Sequence, residues 1–181
     1  MRKLRLSYTL MNLWQMGKVD EAISYYFKLE RKTTEAMEQG IVVDKLIKQT
    51  IEKEKRLPDF MGGLKLINPK PQLKIEISYN DYFDLVGVID CYDEGKMFEF
   101  KTGKLTSMDY LKSYQIKLYS LLLTEKNYPL KEIFVIRFNQ KENKNDWSKM
   151  FFREETNDQA RNFIDSIAPE IYHFFKQKGL I

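Results

Sequence analysis

Apolar positions recur along the chain with two periods, and the changes of period divide it into helical and strand segments. Leu10, Leu13 and Trp14 follow Ser7 at helical spacing, which predicts a short helix capped by Ser7 and stopped at Gly17. Asp20 opens a second helix carrying Ile23, Tyr26, Phe27 and Glu30. Its aromatic residues read first as core, with stacking on nucleic-acid bases as the alternative. A longer pattern starts at Thr33 or Thr34 and reaches about Arg56, with Met37, Ile41, Ile47 and Ile51 on one stripe. Residues 58–71 hold Pro58, Gly62, Gly63, Pro69 and Pro71 and read as a loop, either a plain connector or a mobile flap over a substrate channel.

The period then drops to two. Leu73, Ile75 and Ile77 alternate along 72–79, Asn80 and Asp81 turn the chain, and a second strand covers 82–92. A tight turn with Glu94 and Gly95 at its tip leads into a third strand ending near Lys101, so the three form an antiparallel meander. Ser107 begins a helix with Leu111, Tyr114, Leu118, Leu121 and Leu122 as its stripe. That crossover permits parallel pairing for the apolar strand 131–139. A polar turn over 141–146, a short strand over 147–152 and a last helix capped by Asn157, through Phe163, Ile167, Ile171, Phe174 and Phe175, complete the chain.

The hairpin register has chemical consequences. With Glu94 and Gly95 at the tip, Ile89 faces Phe100, Cys91 faces Phe98 and Asp90 faces Glu99. One face is then apolar, and the other carries Asp90, Glu99 and Lys101. Directly opposed side chains stand about 4.5–5.5 Å apart at Cβ, where like charges destabilise a sheet. A divalent cation would relieve them, because hard carboxylate oxygens suit magnesium and manganese. The plainer alternative is an exposed face relieved by Lys101 and Lys96. A three-residue turn would set Asp90 opposite Phe98, but the apolar pairing on the reverse face argues against it.

Other candidates are weaker alone. Asp44 shares the stripe of the long helix with Gly40 one turn earlier, and a carboxylate there needs either a lysine partner or a metal. Gln115 and Tyr119 are four residues apart on one helix and meet side by side. His173, the only histidine, lacks a second ligand at metal spacing, and its expected role is structural or on the surface. A serine or cysteine nucleophile with a histidine base has little support.

The chain has 181 residues, 43% of them hydrophobic and 14% aromatic, enough for a single domain over 1–181 with a substantial core. Its 30 basic and 26 acidic residues give a charge of +4, which suits a polyanionic partner without demanding one. A lone cysteine, Cys91, excludes an internal disulfide and a four-cysteine zinc or iron–sulfur site. No signal peptide, membrane span, repeat or low-complexity tract is legible, so the expected location is the cytoplasm.

Taken in order, the long helix with Gly40 and Asp44, Gly87-Val88-Ile89-Asp90, Glu99-Phe100-Lys101 and Gln115 with Tyr119 resemble the PD-(D/E)XK nuclease superfamily, specifically its RecB-like exonuclease branch. The opening Leu6-Ser7-Tyr8 also looks like that branch, so the resemblance covers most of the chain. Any one of these motifs is common, and the ordered set on matching elements is what carries the likeness. It implies an α+β, restriction-endonuclease-like core: a central mixed sheet with an antiparallel meander, flanked by helices. It further implies a divalent-metal-dependent deoxyribonuclease, an exonuclease of recombination, repair or mobile-element processing, with DNA as partner and Mg2+ or Mn2+ as cofactor. By this likeness Asp90, Glu99 and the Phe100 carbonyl hold metal, Lys101 positions the attacking water, and Gln115 and Tyr119 brace the site or touch the nucleic-acid backbone. Lys104, Lys112 and Lys117 would supply phosphate contacts. Asp44 departs from the pattern, since the branch usually has a histidine there. Aspartate can serve as a hard oxygen ligand instead, or the change marks weakened activity. A homo-oligomer, or a protein partner of recombination or repair, is also in keeping with the family. Two alternatives stay open: a catalytically weak relative that binds nucleic acid or scaffolds a complex, and an unrelated α+β protein with a coincidental acidic hairpin.

Overall fold

The computed structural model describes residues 3–29 and 34–181. Thr33 and Glu30 lie outside them, so of the two expected helix starts only Thr34 is described. Its hydroxyl accepts the Met37 amide and caps the long helix.

A mixed sheet forms the centre. Its strands are β1 (Leu4–Leu6), β2 (Lys70–Ser78), β3 (Phe83–Asp93), β4 (Lys96–Lys101), β5 (Glu132–Asn139) and β6 (Lys144–Phe151). The meander β2–β3–β4 is antiparallel, and β5 lies parallel to β4, as the crossover between them requires. β6 returns antiparallel along β5. Strand β1 was not expected. Three residues are too few to show a period, yet Leu4 and Leu6 are fully buried and β1 pairs parallel with β3.

The helices are α1 (Tyr8–Gln15), α2 (Val19–Tyr26), α3 (Glu35–Glu54), α4 (Ser107–Leu111), α5 (Tyr114–Glu125) and α6 (Glu154–Gln177). On one face of the sheet, residues of α1, α5 and α6 build the larger core with Leu85, Ile89, Met97 and Val135. On the other, the second half of α3 joins Leu57, Met61, Cys91, Phe98 and Phe134 in a smaller core.

Several expectations change. The stripe on α3 is buried only at Ile47 and Ile51; Met37 and Ile41 are exposed, because the first half of the helix projects past the sheet. The helix from Ser107 is two helices. Thr106 caps α4 in a capping box with Asp109, and the extended Ser113 breaks the chain before α5, leaving Tyr114 stacked on Phe163 instead of in a continuous stripe. The last helix starts at Glu154, so Asn157 sits inside it, buried, donating to Thr124 and Glu154. Residues 58–71 contain a 3-10 turn (Asp59–Met61), and their end is tied to the sheet by the Asp93 carboxylate, which accepts the Ile67 and Asn68 amides.

One irregularity places the site. β2 pairs with β3 along most of its length, so β1 and β4 must share the other edge of β3. Pairing with β1 ends at Leu85 of β3 and pairing with β4 covers only Cys91 to Asp93, leaving residues 86–90 without a strand partner on that edge. The alternation of β3 also slips here. Ile89 and Tyr92 both face the larger core while Cys91 faces the smaller one, and Gln72, across from Asp90, has a φ of 51°. Ile89 therefore does not share a face with Cys91, Phe98 and Phe100, and Asp90 lies within β3 instead of ending it.

Candidate active site

The hairpin register holds from the tip to Cys91↔Phe98 and then the strands part. Asp90 and Glu99 are thus not a ladder pair. Instead the Asp90 carboxylate fills the opening: Oδ2 accepts the Phe100 amide at 2.8 Å, and Oδ1 accepts from Gln72 Nε2 at 3.4 Å. A side chain has taken the place of a backbone acceptor, which satisfies the freed amide and fixes the carboxylate at the mouth of the gap.

Glu99 is 2% exposed. Its Oε1 accepts from Lys101 Nζ at 2.6 Å and from Gln115 Nε2 at 2.8 Å, whereas its buried Oε2 has no amine or amide donor. Lys101 also donates to Gln115 Oε1 at 3.0 Å, and Gln115 donates to the Tyr119 hydroxyl at 3.0 Å. One amide side chain therefore holds the acid, the amine and the phenol together. The break at Ser113 begins α5 just ahead of Gln115, so the first turn of α5 meets the end of β4. Gly87 makes room on β3: a Cβ there would lie 2.6 Å from Leu122 Cδ1 and 2.9 Å from Tyr119 Cε1.

The electrostatics follow from burial beside like charge. Asp90 is pushed well above the ordinary carboxylate range by desolvation, then by the Glu99 charge. Desolvation also raises Glu99, against the opposing pull of Lys101 and of a hydrogen bond shared with the Asp90 carboxyl. For Lys101, burial favours the neutral amine, but Glu99 and Asp90 outweigh it and the group stays protonated. Asp44, on α3, feels the charges of Asp90 and Lys101 and is pushed up to about 6, first by desolvation and then by Asp90. Gly40 faces Thr102, so this line of α3 runs past the end of β4.

The structure thus gathers Asp44, Asp90, Glu99, Phe100, Lys101, Gln115 and Tyr119 around one opening. Lys104, Lys112 and Lys117 do not stay together. Lys104 lines a cavity of about 800 Å3 beyond β4, with Gln39, Thr102, Arg137 and Lys141. Lys112 and Lys117 line another of about 630 Å3 with Lys149 and Arg153, beside the start of α6. His173 is exposed and bonds Gln177. Sequence reading missed Tyr8, whose hydroxyl is raised by burial and feels Lys101. It entered the sequence reading only within the family-like opening Leu6-Ser7-Tyr8, with no role assigned.

Among the described residues no three His, Cys, Asp or Glu side chains are drawn together tightly enough to hold an ion by themselves. The donor set nonetheless suits a hard dication. Glu99 Oε2 is a buried oxygen without an amine or amide donor, and the neighbouring carboxylate is one that burial alone disfavours as an anion. Magnesium commonly takes only one or two carboxylates and keeps water and phosphate for the rest.

No protein-family model matches the chain, and no curated protein matches it. Solved structures do. A candidate exonuclease from Eubacterium rectale aligns with 98% of this chain and 82% of its own at 11% identity and a TM-score of 0.62. The alkaline exonuclease LHK-Exo from Laribacter hongkongensis aligns with 98% of this chain and 93% of its own at 9% identity and a TM-score of 0.51. In complex with dAMP, LHK-Exo gives 96%, 93%, 9% and 0.57. At such identities the likeness is one of fold.

Proposed function

We propose, from the premise that this chain has the restriction-endonuclease-like fold of PD-(D/E)XK nucleases, that it is a divalent-metal-dependent exonuclease hydrolysing DNA phosphodiester bonds. The observation that carries the reading is Glu99: a buried carboxylate with one oxygen tied to Lys101 and Gln115 and no amine or amide donor for the other, set against the desolvated Asp90 carboxyl.

Asp90 and Glu99, with Asp44 and the Phe100 carbonyl, would hold Mg2+ or Mn2+. When bound, such an ion lowers the pKa of a coordinated water and offsets charge on the phosphoryl oxygens. Lys101, held protonated by Glu99, is a hydrogen-bond donor and cation suited to orienting the water and steadying negative charge on phosphate. Gln115 keeps that amine and Glu99 in register, and Tyr119 keeps Gln115 in place. A role in recombination, repair or mobile-element processing belongs to the same proposal.

The test is incubation of purified protein with linear and circular, single- and double-stranded DNA, in magnesium, manganese or chelator. Degradation of linear DNA that needs metal, and that is lost in Glu99→Gln and Lys101→Ala, is the expected result. Salt-sensitive DNA binding without cleavage would favour a catalytically weak relative, a reading that the aspartate at position 44 favours. Neither activity would overturn both.

A further inference from the structure

The gap in the β3 edge opens into a groove. A narrow cavity of about 190 Å3 reaches Tyr119 and Gly87 at its inner end and is walled by Tyr8 and Tyr25. A second cavity, of about 640 Å3, shares Arg5, Ser7, Tyr25, Lys74, Val86 and Val88 with it and continues past Phe27 and Lys28. Together they run from the catalytic cluster, through the Tyr119–Gln115 bond, to the surface.

The lining brings aromatic rings and cations together. Tyr8 and Tyr25 are half-buried, and Phe27 is 40% exposed at the outer end. Arg5 is engaged by Glu76, while Lys28 and Lys74 have no acidic partner among the described residues. Cations spaced along a channel follow a phosphate backbone, and ring faces accept bases of any sequence. A duplex hides its base faces by stacking and would use only the cations.

We propose that this groove holds a single-stranded segment of the substrate, with unstacked bases against Tyr8, Tyr25 and Phe27 and phosphates along Lys74 and Lys28. The proposal rests on the nuclease reading above and adds the form of the strand that reaches the cluster. It makes Phe27 and Lys74 determinants of substrate choice with no part in the chemistry.

The experiment is fluorescence anisotropy in metal-free buffer, so that nothing is cut. Its probes are a labelled oligothymidylate, a blunt duplex of the same length, and a single strand of abasic sites. The oligothymidylate is expected to bind about tenfold tighter than either competitor. Lys74→Glu and Phe27→Ser should each lower that affinity by about tenfold, whereas Lys144→Glu, at the start of β6 on the far edge of the sheet, should leave it unchanged. Lys74 is exposed, so its variant keeps the test valid if Phe27→Ser does not fold. Equal binding of the abasic strand, or wild-type affinity in the folded groove variants, would overturn the proposal. Metal-dependent cleavage alongside that failure would sink the groove alone. The expected binding pattern without any cleavage would support the groove and sink the nuclease reading alone.

Discussion

Glu99 and Lys101, two residues apart on one strand, meet as a partly buried ion pair at 2.6 Å, and Gln115 bonds to both. Because side chains repeat every second residue along a strand, the two share a face, and the first turn of α5 meets them there.

Removing one partner should therefore cost more than neutralising the other. Lys101→Ala leaves the Glu99 charge buried with one donor fewer, and a loss of about 3 kcal/mol is expected. Glu99→Gln removes the charge while keeping an acceptor, and should cost about 1 kcal/mol or less. Urea denaturation of both variants in metal-free buffer measures the difference, and equal losses would contradict the geometry.

The sign of the pH dependence is set by the raised carboxylates. Asp90 and Glu99 titrate higher in the folded protein than in the unfolded chain, so the native state binds more protons between the two values. Their contribution to stability thus declines as pH rises from the ordinary carboxylate range through the folded pKa values, then levels off. Asp90→Asn keeps an acceptor for the Phe100 amide and removes the charge. In metal-free buffer this variant should be as stable as wild type or more so, with a shallower decline on raising the pH. A large loss of stability in denaturant titrations across that range would count against the site.

Metal should reverse that penalty. Added Mg2+ or Mn2+ is expected to raise the thermal midpoint of the wild type in a concentration-dependent way, the stabilisation reaching about 2.7 kcal/mol at a hundredfold excess over Kd. Differential scanning fluorimetry should show the shift greatly reduced in Asp90→Asn and Glu99→Gln. A shift undiminished in both would place the ion elsewhere.

Gly87→Ala tests the packing behind Gln115. The added methyl meets Leu122 and Tyr119 below contact distance, so one of them must move. About 1–3 kcal/mol of stability should be lost, and the displaced Tyr119 should lower kcat more than it raises KM. Adding Leu122→Ala should restore part of the stability but little of the kcat, which steady-state assays and melting curves can separate.

What the sequence made legible was local in origin. Asp90, Glu99 and Lys101 could be grouped because a tight turn and a two-residue repeat relate them, and Gln115 to Tyr119 because one helical turn does. The parting of β3 from β4 after Cys91 was not legible, because it depends on Gln72 from a third strand and on the Phe100 amide choosing a side chain over a backbone partner. Nor was the exposure of Met37 and Ile41, since a helix's pattern does not tell where the sheet beneath it ends. Arg5 and Lys74, brought into one groove by β1 and β2, sit 69 positions apart, too far for any period to connect.

The gap between β1 and β4 has a mechanical consequence. Two separate pieces of chain form its lips, and the unbroken run of β2 beneath carries the continuity of the sheet past it. The aperture is accordingly a dimension that can be tuned: lengthening β1 would narrow it and shortening β1 would widen it, with the β2–β3 seam left untouched.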